Sequence, residues 1–268
     1  MKEKRIGLLY PFKIIAASVG YLSYFLAILV FVCAGLPFFL MFTLWPQLMK
    51  SLMYSVLKAY TFFLTRVWLP ALRIYSIAEI SGFDPAALRG SVVVANHRGR
   101  LDALLMLSLL PPTGVVIKSK YARIPLYSSF VKHLDFVSIN PDSLESLGAA
   151  TGKCREALAK GVNLLVFPEG TRAKTGRLLA FKPFPFRIAM EAEAPVVPVI
   201  IHSDLPFMAR CRGSIFPKYR FRYTIRFLPA QRHLAGETAP DFAQRVRATM
   251  AAQLALLDKG TYWEKDSA

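Results

Sequence analysis

Two pairs of residues in this chain could do chemistry. The first is His97 and Asp102, in the stretch VVVANHRGRLD, with four residues between them. An imidazole just before a helix and a carboxylate in its first turn can meet. The acid then accepts a hydrogen bond from one ring nitrogen and fixes the tautomer, which leaves the other nitrogen to take a proton. This is a base with an orienting acid and no nucleophile of its own. The other histidines serve as a control: five positions past His133, His202 and His233 stand Ser138, Phe207 and Thr238. A structural His–Asp cap accounts for the spacing equally well.

The second pair is Glu169 and Arg172 in the stretch FPEGTR. Gly170 permits a tight turn there. Either the two charges stiffen the turn as an ion pair, or Arg172 holds a phosphate or carboxylate while Glu169 positions it. Other chemistries lack their signatures. A serine hydrolase needs G-x-S-x-G, which is absent. The nearest approach to a phosphate-binding G-x-x-x-x-G-K loop is GAATGK at 148–153, one residue short and inside a helical pattern.

Both pairs follow apolar runs that read as buried strands, VVVA before His97 and VNLLVF up to Phe167. Further strands are expected at 74–80, 115–118, 136–139 and 196–201, and helices at 102–110, 124–134, 144–160 and 181–193. The alternation predicts an α/β fold with a mostly parallel central sheet flanked by helices. In such sheets, loops at the carboxyl ends of strands carry the site, so neighbouring strands would bring both pairs into one pocket. Residues 219–228 alternate aromatic or aliphatic with basic or polar side chains, a half-exposed strand with a basic outer face. A C-terminal helix follows Asp241.

The N-terminal part differs. Residues 14–49 form a run of 36 without a charge. That exceeds one bilayer span and falls slightly short of two. Gly35-Leu36-Pro37 lies near its middle, where a helix would break. Lys2, Lys4, Arg5 and Lys13 precede the run, and Lys50, Lys58, Arg66 and Arg73 follow it. Basic flanks on both sides favour a hairpin with both ends at the cytoplasmic face, ahead of one long tilted span. Residues 51–74 fit an interfacial helix with Phe62, Phe63 and Trp68 toward acyl chains, or a core helix of the α/β domain. Residues 1–73 thus read as a membrane-associated helical region with a helical hairpin, and 74–268 as the α/β domain. The net charge of +17, from 34 basic and 17 acidic residues, suits a lipid surface. No zinc-finger or aromatic RNA-binding signature points to nucleic acid. Cys33, Cys154 and Cys211 are far apart, which indicates neither a metal site nor a disulfide framework.

NHRGRLD, then FPEGTR with its continuation AKTGRLLAFK, then APVVPVII, in this order, resemble the lysophospholipid acyltransferase family typified by 1-acyl-sn-glycerol-3-phosphate acyltransferase. The resemblance covers roughly 74–201. It implies a glycerolipid acyltransferase-like fold and transfer of a fatty acyl chain from acyl-CoA or acyl carrier protein to a lysophospholipid hydroxyl. It implies no cofactor, a lipid membrane as partner and the cytoplasmic face of a cell membrane, such as the bacterial inner membrane, as location. His97 matches the family's general base and Asp102 its orienting acid. Glu169, Gly170, Thr171 and Arg172 match the acceptor motif, with Lys118, Arg123 and Lys182 as further candidate anion contacts. Ser128 stands where the family usually has glycine. Ile139-Asn140-Pro141 replaces an arginine-bearing turn, and Pro183-Phe184 a common lysine-glycine pair. These departures touch the acceptor side. They keep another lyso-lipid, such as an acylated amino acid, as the alternative acceptor. A non-catalytic lipid-binding protein is the rival of a different class.

Overall fold

The computed structural model describes residues 10–86, 88–173, 176–208 and 219–267. Lys2, Lys4, Arg5 and Cys211 lie outside them. In chain order the elements are α1 (Tyr10–Leu44), α2 (Pro46–Phe62), a π-helical stretch (Phe63–Trp68), α3 (Leu69–Ala71), β1 (Tyr75–Ser81), β2 (Val92–Ala95), α4 (Asp102–Leu109) and β3 (Thr113–Lys118). Then follow α5 (Ser119–Ala122), α6 (Pro125–His133), β4 (Val137–Ile139), α7 (Leu144–Ala159), β5 (Asn163–Val166), α8 (Phe184–Glu191), β6 (Val196–Ser203), β7 (Phe221–Phe227), α9 (Ala239–Asp258) and α10 (Tyr262–Ser267).

Among the described residues the strands form one sheet in the order β1-β7-β6-β2-β5-β3-β4. The run from β6 to β4 is parallel throughout, and β7 meets β6 antiparallel with β1 parallel to β7. β2 is central and buried on both faces, as its unbroken run of apolar residues requires. Its side chains alternate between two cores. Val93 and Ala95 pack with Leu105 of α4, Tyr54 and Leu57 of α2, and Ala17 of α1. Val92 and Val94 pack with Cys154 of α7, Phe186 of α8, and Phe242 and Val246 of α9. The sheet therefore has a helical layer on each side. β7 bears out the half-exposed pattern: Phe221, Tyr223, Ile225 and Phe227 are buried while Arg222 is exposed. Arg226, on that outer face, makes a bidentate pair with Glu79 of β1 at 3.0 Å.

The N-terminal helices depart from the expected layout. The break expected at Gly35-Leu36-Pro37 is absent, because α1 continues through it to Leu44. The turn falls at Trp45, whose φ of −136° and ψ of 67° leave the helical region. A residue preceding proline avoids the helical region, and Pro46 is pre-set to start the next helix. The chain then runs back along α1. Trp68 Nε1 donates to Ser23 Oγ at 2.7 Å, and Gly20 lies against Leu69 and Leu72. Trp68 is thus held between helices and does not face outward as expected of it, whereas Phe62 and Phe63 are about half exposed. Among the described residues no helix is long and apolar enough to cross a membrane, so an inserted hairpin is not what this part shows. The helical pair is tied to the sheet through Asp135, which accepts from Lys50 Nζ at 2.7 Å and Tyr54 Oη at 2.8 Å.

Candidate active site

β2 ends at Ala95 and delivers its loop to the carboxyl edge of the sheet. Asn96 fixes the exit: its side-chain amide donates to the Ile201 carbonyl at 2.9 Å and accepts from the Ile201 amide at 2.7 Å. The loop is thereby tied to β6 on one side. His97 comes next, and Asp102 opens α4. His97 Nδ1 lies 2.9 Å from Asp102 Oδ2. The same oxygen accepts the backbone amides of Arg98 and Gly99, each at 2.8 Å. Three donors on one oxygen fix the carboxylate, and Nδ1 must carry the proton to be one of them. Nε2 is then the basic atom of the ring. The backbone is closely approached at Gly99: a Cβ there would sit 3.1 Å from the Phe207 carbonyl oxygen and 3.2 Å from Asp102 Oδ1, so those neighbours would have to give by a few tenths of an ångström. The Asp102 side chain is buried while that of His97 is 21 % exposed, so the imidazole opens outward and the carboxylate does not.

β5 is the neighbour of β2, and its exit loop carries FPEGTR beside His97. The Phe167 ring stacks on the imidazole, with centroids 4.3 Å apart and planes at 28°. Gly170 takes a φ of +65°, a turn that an L side chain would strain. Glu169 Oε1 accepts the His97 amide at 2.8 Å, and Oε2 accepts the Leu179 amide at 2.9 Å. The Ala173 amide donates to the His97 carbonyl at 3.0 Å. Burial pushes the Glu169 carboxyl up to about 6, against the pull of the two amides. Glu169 thus braces the histidine loop through backbone amides. Arg172 Nη1 donates to the Met208 carbonyl at 3.2 Å, and Thr171 is exposed. Lys182 is exposed, its backbone amide bound to the Pro168 carbonyl at 2.8 Å and its stem beside Gly170.

The two motifs therefore share one edge of the sheet, as the strand order requires. Lys118 and Arg123 lie farther along that edge, at the end of β3 and at the exposed end of α5, with β5 between them and β2. Sequence reading gave no role to Asn96 and Phe167, and none to Arg98. The Arg98 side chain turns away from Asp102 and is buried against Asp258, with Nη1 and Nη2 donating at 2.8 Å and 2.7 Å. Asn96 and Arg98 sit inside the motif stretch, which was the available signal. Asp258, 160 positions on, carries none.

A family model described as Acyltransferase matches residues 78–202. A 1-acyl-sn-glycerol-3-phosphate acyltransferase of Cocos nucifera is 32% identical over 130 residues, 44% of this chain and 41% of the relative. A chloroplastic one of Brassica napus is 28% identical over 180 residues, 66% and 49% of the two chains. The Homo sapiens 1-acyl-sn-glycerol-3-phosphate acyltransferase alpha is 29% identical over 169 residues, 59% and 56%. The chain spans about half the length of these curated relatives. In fold it is similar to the crystal structure of the 1-acyl-sn-glycerophosphate (LPA) acyltransferase PlsC from Thermotoga maritima. The TM-score is 0.71 at 19% identity, with 92% of this chain and 98% of the other covered. The segment that carries both motifs, brought side by side on one sheet edge, is thus the segment similar to an Acyltransferase family model and to these 1-acyl-sn-glycerol-3-phosphate acyltransferases.

Proposed function

We propose that this protein transfers a fatty acyl chain from a thioester carrier, acyl-CoA or acyl carrier protein, to the free hydroxyl of a lysophospholipid. The acceptor favoured is 1-acyl-sn-glycerol-3-phosphate. The observation that carries the reading is Asp102 Oδ2, which collects His97 Nδ1–H and two backbone amides and so leaves Nε2 as a fixed base facing outward. A non-catalytic lipid binder has no use for such a base.

In the reaction, Nε2 takes the proton of the acceptor hydroxyl as its oxygen attacks the thioester carbon. The new C–O bond forms, the C–S bond breaks, and the proton passes from the imidazolium to the leaving sulfur. The thioester is already activated, so no serine or cysteine intermediate is needed and no resident cofactor is invoked. Asp102 keeps the ring in the correct tautomer throughout and stabilises the imidazolium. Arg172 and Lys182, beside the Gly170 turn, are the basic groups nearest to hand for the acceptor's phosphate, with Lys118 and Arg123 beyond.

The membrane is reached through the helical pair. Phe12, Ile15, Val19, Leu22, Phe25 and Leu26 are exposed on α1, and Leu48 and Val56 on α2. An apolar face of this kind on a strongly basic chain suits the interface of an anionic leaflet, at the cytoplasmic side. Replacing both Leu22 and Phe25 by Asp should abolish flotation with anionic liposomes. Undiminished flotation would remove the helical pair from this reading.

The test of the activity is mass spectrometry of products after incubating the purified chain with labelled palmitoyl-CoA or palmitoyl-acyl carrier protein and a panel of lyso-lipids. Expected is phosphatidic acid from lysophosphatidic acid, and none with His97→Ala. Preferred acylation of an N-acylated amino acid would keep the chemistry and change the acceptor. Absence of transfer to every acceptor would overturn the reading.

A further inference from the structure

Arg98 is the residue directly after the histidine, yet its side chain is 5 % exposed overall and serves a different part of the chain. Its guanidinium grips Asp258, the last residue of α9, at 2.8 and 2.7 Å in a bidentate pair. It also donates to the Gly176 carbonyl and lies 4.6 Å from the centre of the Trp263 ring. Trp263, on α10, is buried, and its Nε1 donates to the Ser203 carbonyl at the end of β6 at 2.5 Å. His202 Nε2 lies 3.2 Å from Asp258 Oδ1, the oxygen that also accepts from Arg98 Nη1, without hydrogen-bond geometry. Higher on α9, Arg247 donates to the Leu179 carbonyl at 2.8 Å and the Leu178 carbonyl at 2.7 Å. Leu179 is the residue whose amide Glu169 holds. The C-terminal helices thus touch both loops of the site from behind. None of their residues falls within the matched segment 78–202.

We infer that the end of α9 and α10 form a clasp that positions the catalytic loop, with Asp258 and Trp263 as positioning residues acting through Arg98. The link is short. The side chain of Arg98 is locked by Asp258 and Trp263, and the main-chain amide of the same residue donates to Asp102 Oδ2. Release of the guanidinium lets that amide move, and Asp102 then loses one of three donors that aim it at His97 Nδ1. A carboxylate and a guanidinium this deeply buried are an uncertain gain in stability but a strong constraint on geometry, since each fixes the other's place. The clasp rests on the reading of His97 as the base, and its test has a readout that needs no activity.

In the full chain, Asp258→Asn keeps the shape and removes the charge. Expected is a kcat about 10- to 100-fold lower, as misplacement of a reacting group by up to about an ångström costs, with KM for both substrates within about threefold. The proton resonance of His97 Nδ1–H should shift or vanish by exchange. Asp258→Glu should recover most of kcat and of that resonance. An Asp258→Asn protein with wild-type kcat and an unmoved Nδ1–H signal, however low its melting temperature, makes the clasp merely structural and overturns the inference. If wild-type protein shows no acyl transfer at all, the functional reading fails and the Nδ1–H signal alone decides the clasp. If Asp258→Asn does not fold, Trp263→Leu decides by the same two readings, because it removes the ring that lies against the Arg98 guanidinium while leaving the Arg98–Asp258 pair in place.

Discussion

Among the described residues two histidine–aspartate pairs occur, and they are built to opposite ends. His97 Nδ1 meets Asp102 at 2.9 Å, and His202 Nε2 meets Asp258 at 3.2 Å. Asp102 is otherwise served by backbone amides, which carry no net charge, so its field acts on the imidazole. Asp258 is served by the Arg98 guanidinium. Burial would raise the Asp258 carboxyl, but Arg98 and His202 beside it outweigh that and hold it below the ordinary range. A carboxylate neutralised by a guanidinium has little left with which to orient and charge a histidine. Access differs too: 21 % of the His97 side chain is open against 5 % for His202. The same two residue types give an imidazole open to solvent in one place and a buried one in the other. What separates them is the third partner of the acid and the path to solvent.

The sharpest way to break this comparison is to remove each imidazole. His97→Ala should lower kcat by about 10³-fold or more, the upper part of what a positioned base supplies, with a melting temperature close to wild type. Asp102→Asn should cost about 10²- to 10³-fold, because the amide can present the wrong face to Nδ1 and favour the wrong tautomer. His202→Gln should cost at most about tenfold in kcat and show itself chiefly in thermal denaturation. Steady-state kinetics and melting curves on the three variants decide the matter. Equal losses of kcat for His97→Ala and His202→Gln would erase the distinction.

Glu169 tests the wall between the pairs. Its carboxyl is lifted from 4.5 to about 6 by burial, so between those pH values the folded state holds more of its proton than the unfolded chain. By linkage, stability from this group falls as pH rises from about 4.5 through 6, and the full effect of the shift is about 2 kcal/mol. Glu169→Gln should flatten that part of the curve of unfolding free energy against pH. It should also destabilise the fold at pH 5, because one of the two amides now held, of His97 or Leu179, faces an NH₂ group. A loss of roughly tenfold in kcat accompanies the loosened loop. Superimposable wild-type and variant profiles between pH 4.5 and 6.5 would show that the carboxyl does not titrate as its burial demands.

Much of this was legible in the chain because it depends on local pattern. The runs VVVA and NLLV give buried strands by composition alone, and the residues after them land on one sheet edge by the logic of parallel β–α–β units. The His97–Asp102 pair was readable because both partners lie on one loop and the first turn of one helix. The His202–Asp258 pair was not, since 56 positions separate the two and only the docking of α9 brings them together. The control that found no acid five residues past His202 was correct about sequence and blind to space. The turn at Trp45 was misplaced for a related reason. Gly35 and Pro37 are strong helix breakers locally, yet an α-helix runs through both, while Trp45 ahead of Pro46 leaves it.

The smallest expected effect concerns Phe167, whose ring lies on the His97 imidazole at 4.3 Å. The stack limits how far the ring can tilt, and a neutral imidazole and an imidazolium meet the aromatic face differently. An imidazolium gains from the ring's negative face, as cations do. On the proposed mechanism, Phe167 would offer that face to the imidazolium formed in the course of the reaction. Phe167→Leu keeps the apolar contact and removes the π-face. It should lower kcat by roughly three- to tenfold, the equivalent of about 1 kcal/mol, and leave melting temperature and membrane flotation unchanged. His202 has no such contact among the aromatic pairs of the described residues. A Phe167→Leu enzyme with kcat identical to wild type would mean that the ring merely fills space beside the imidazole.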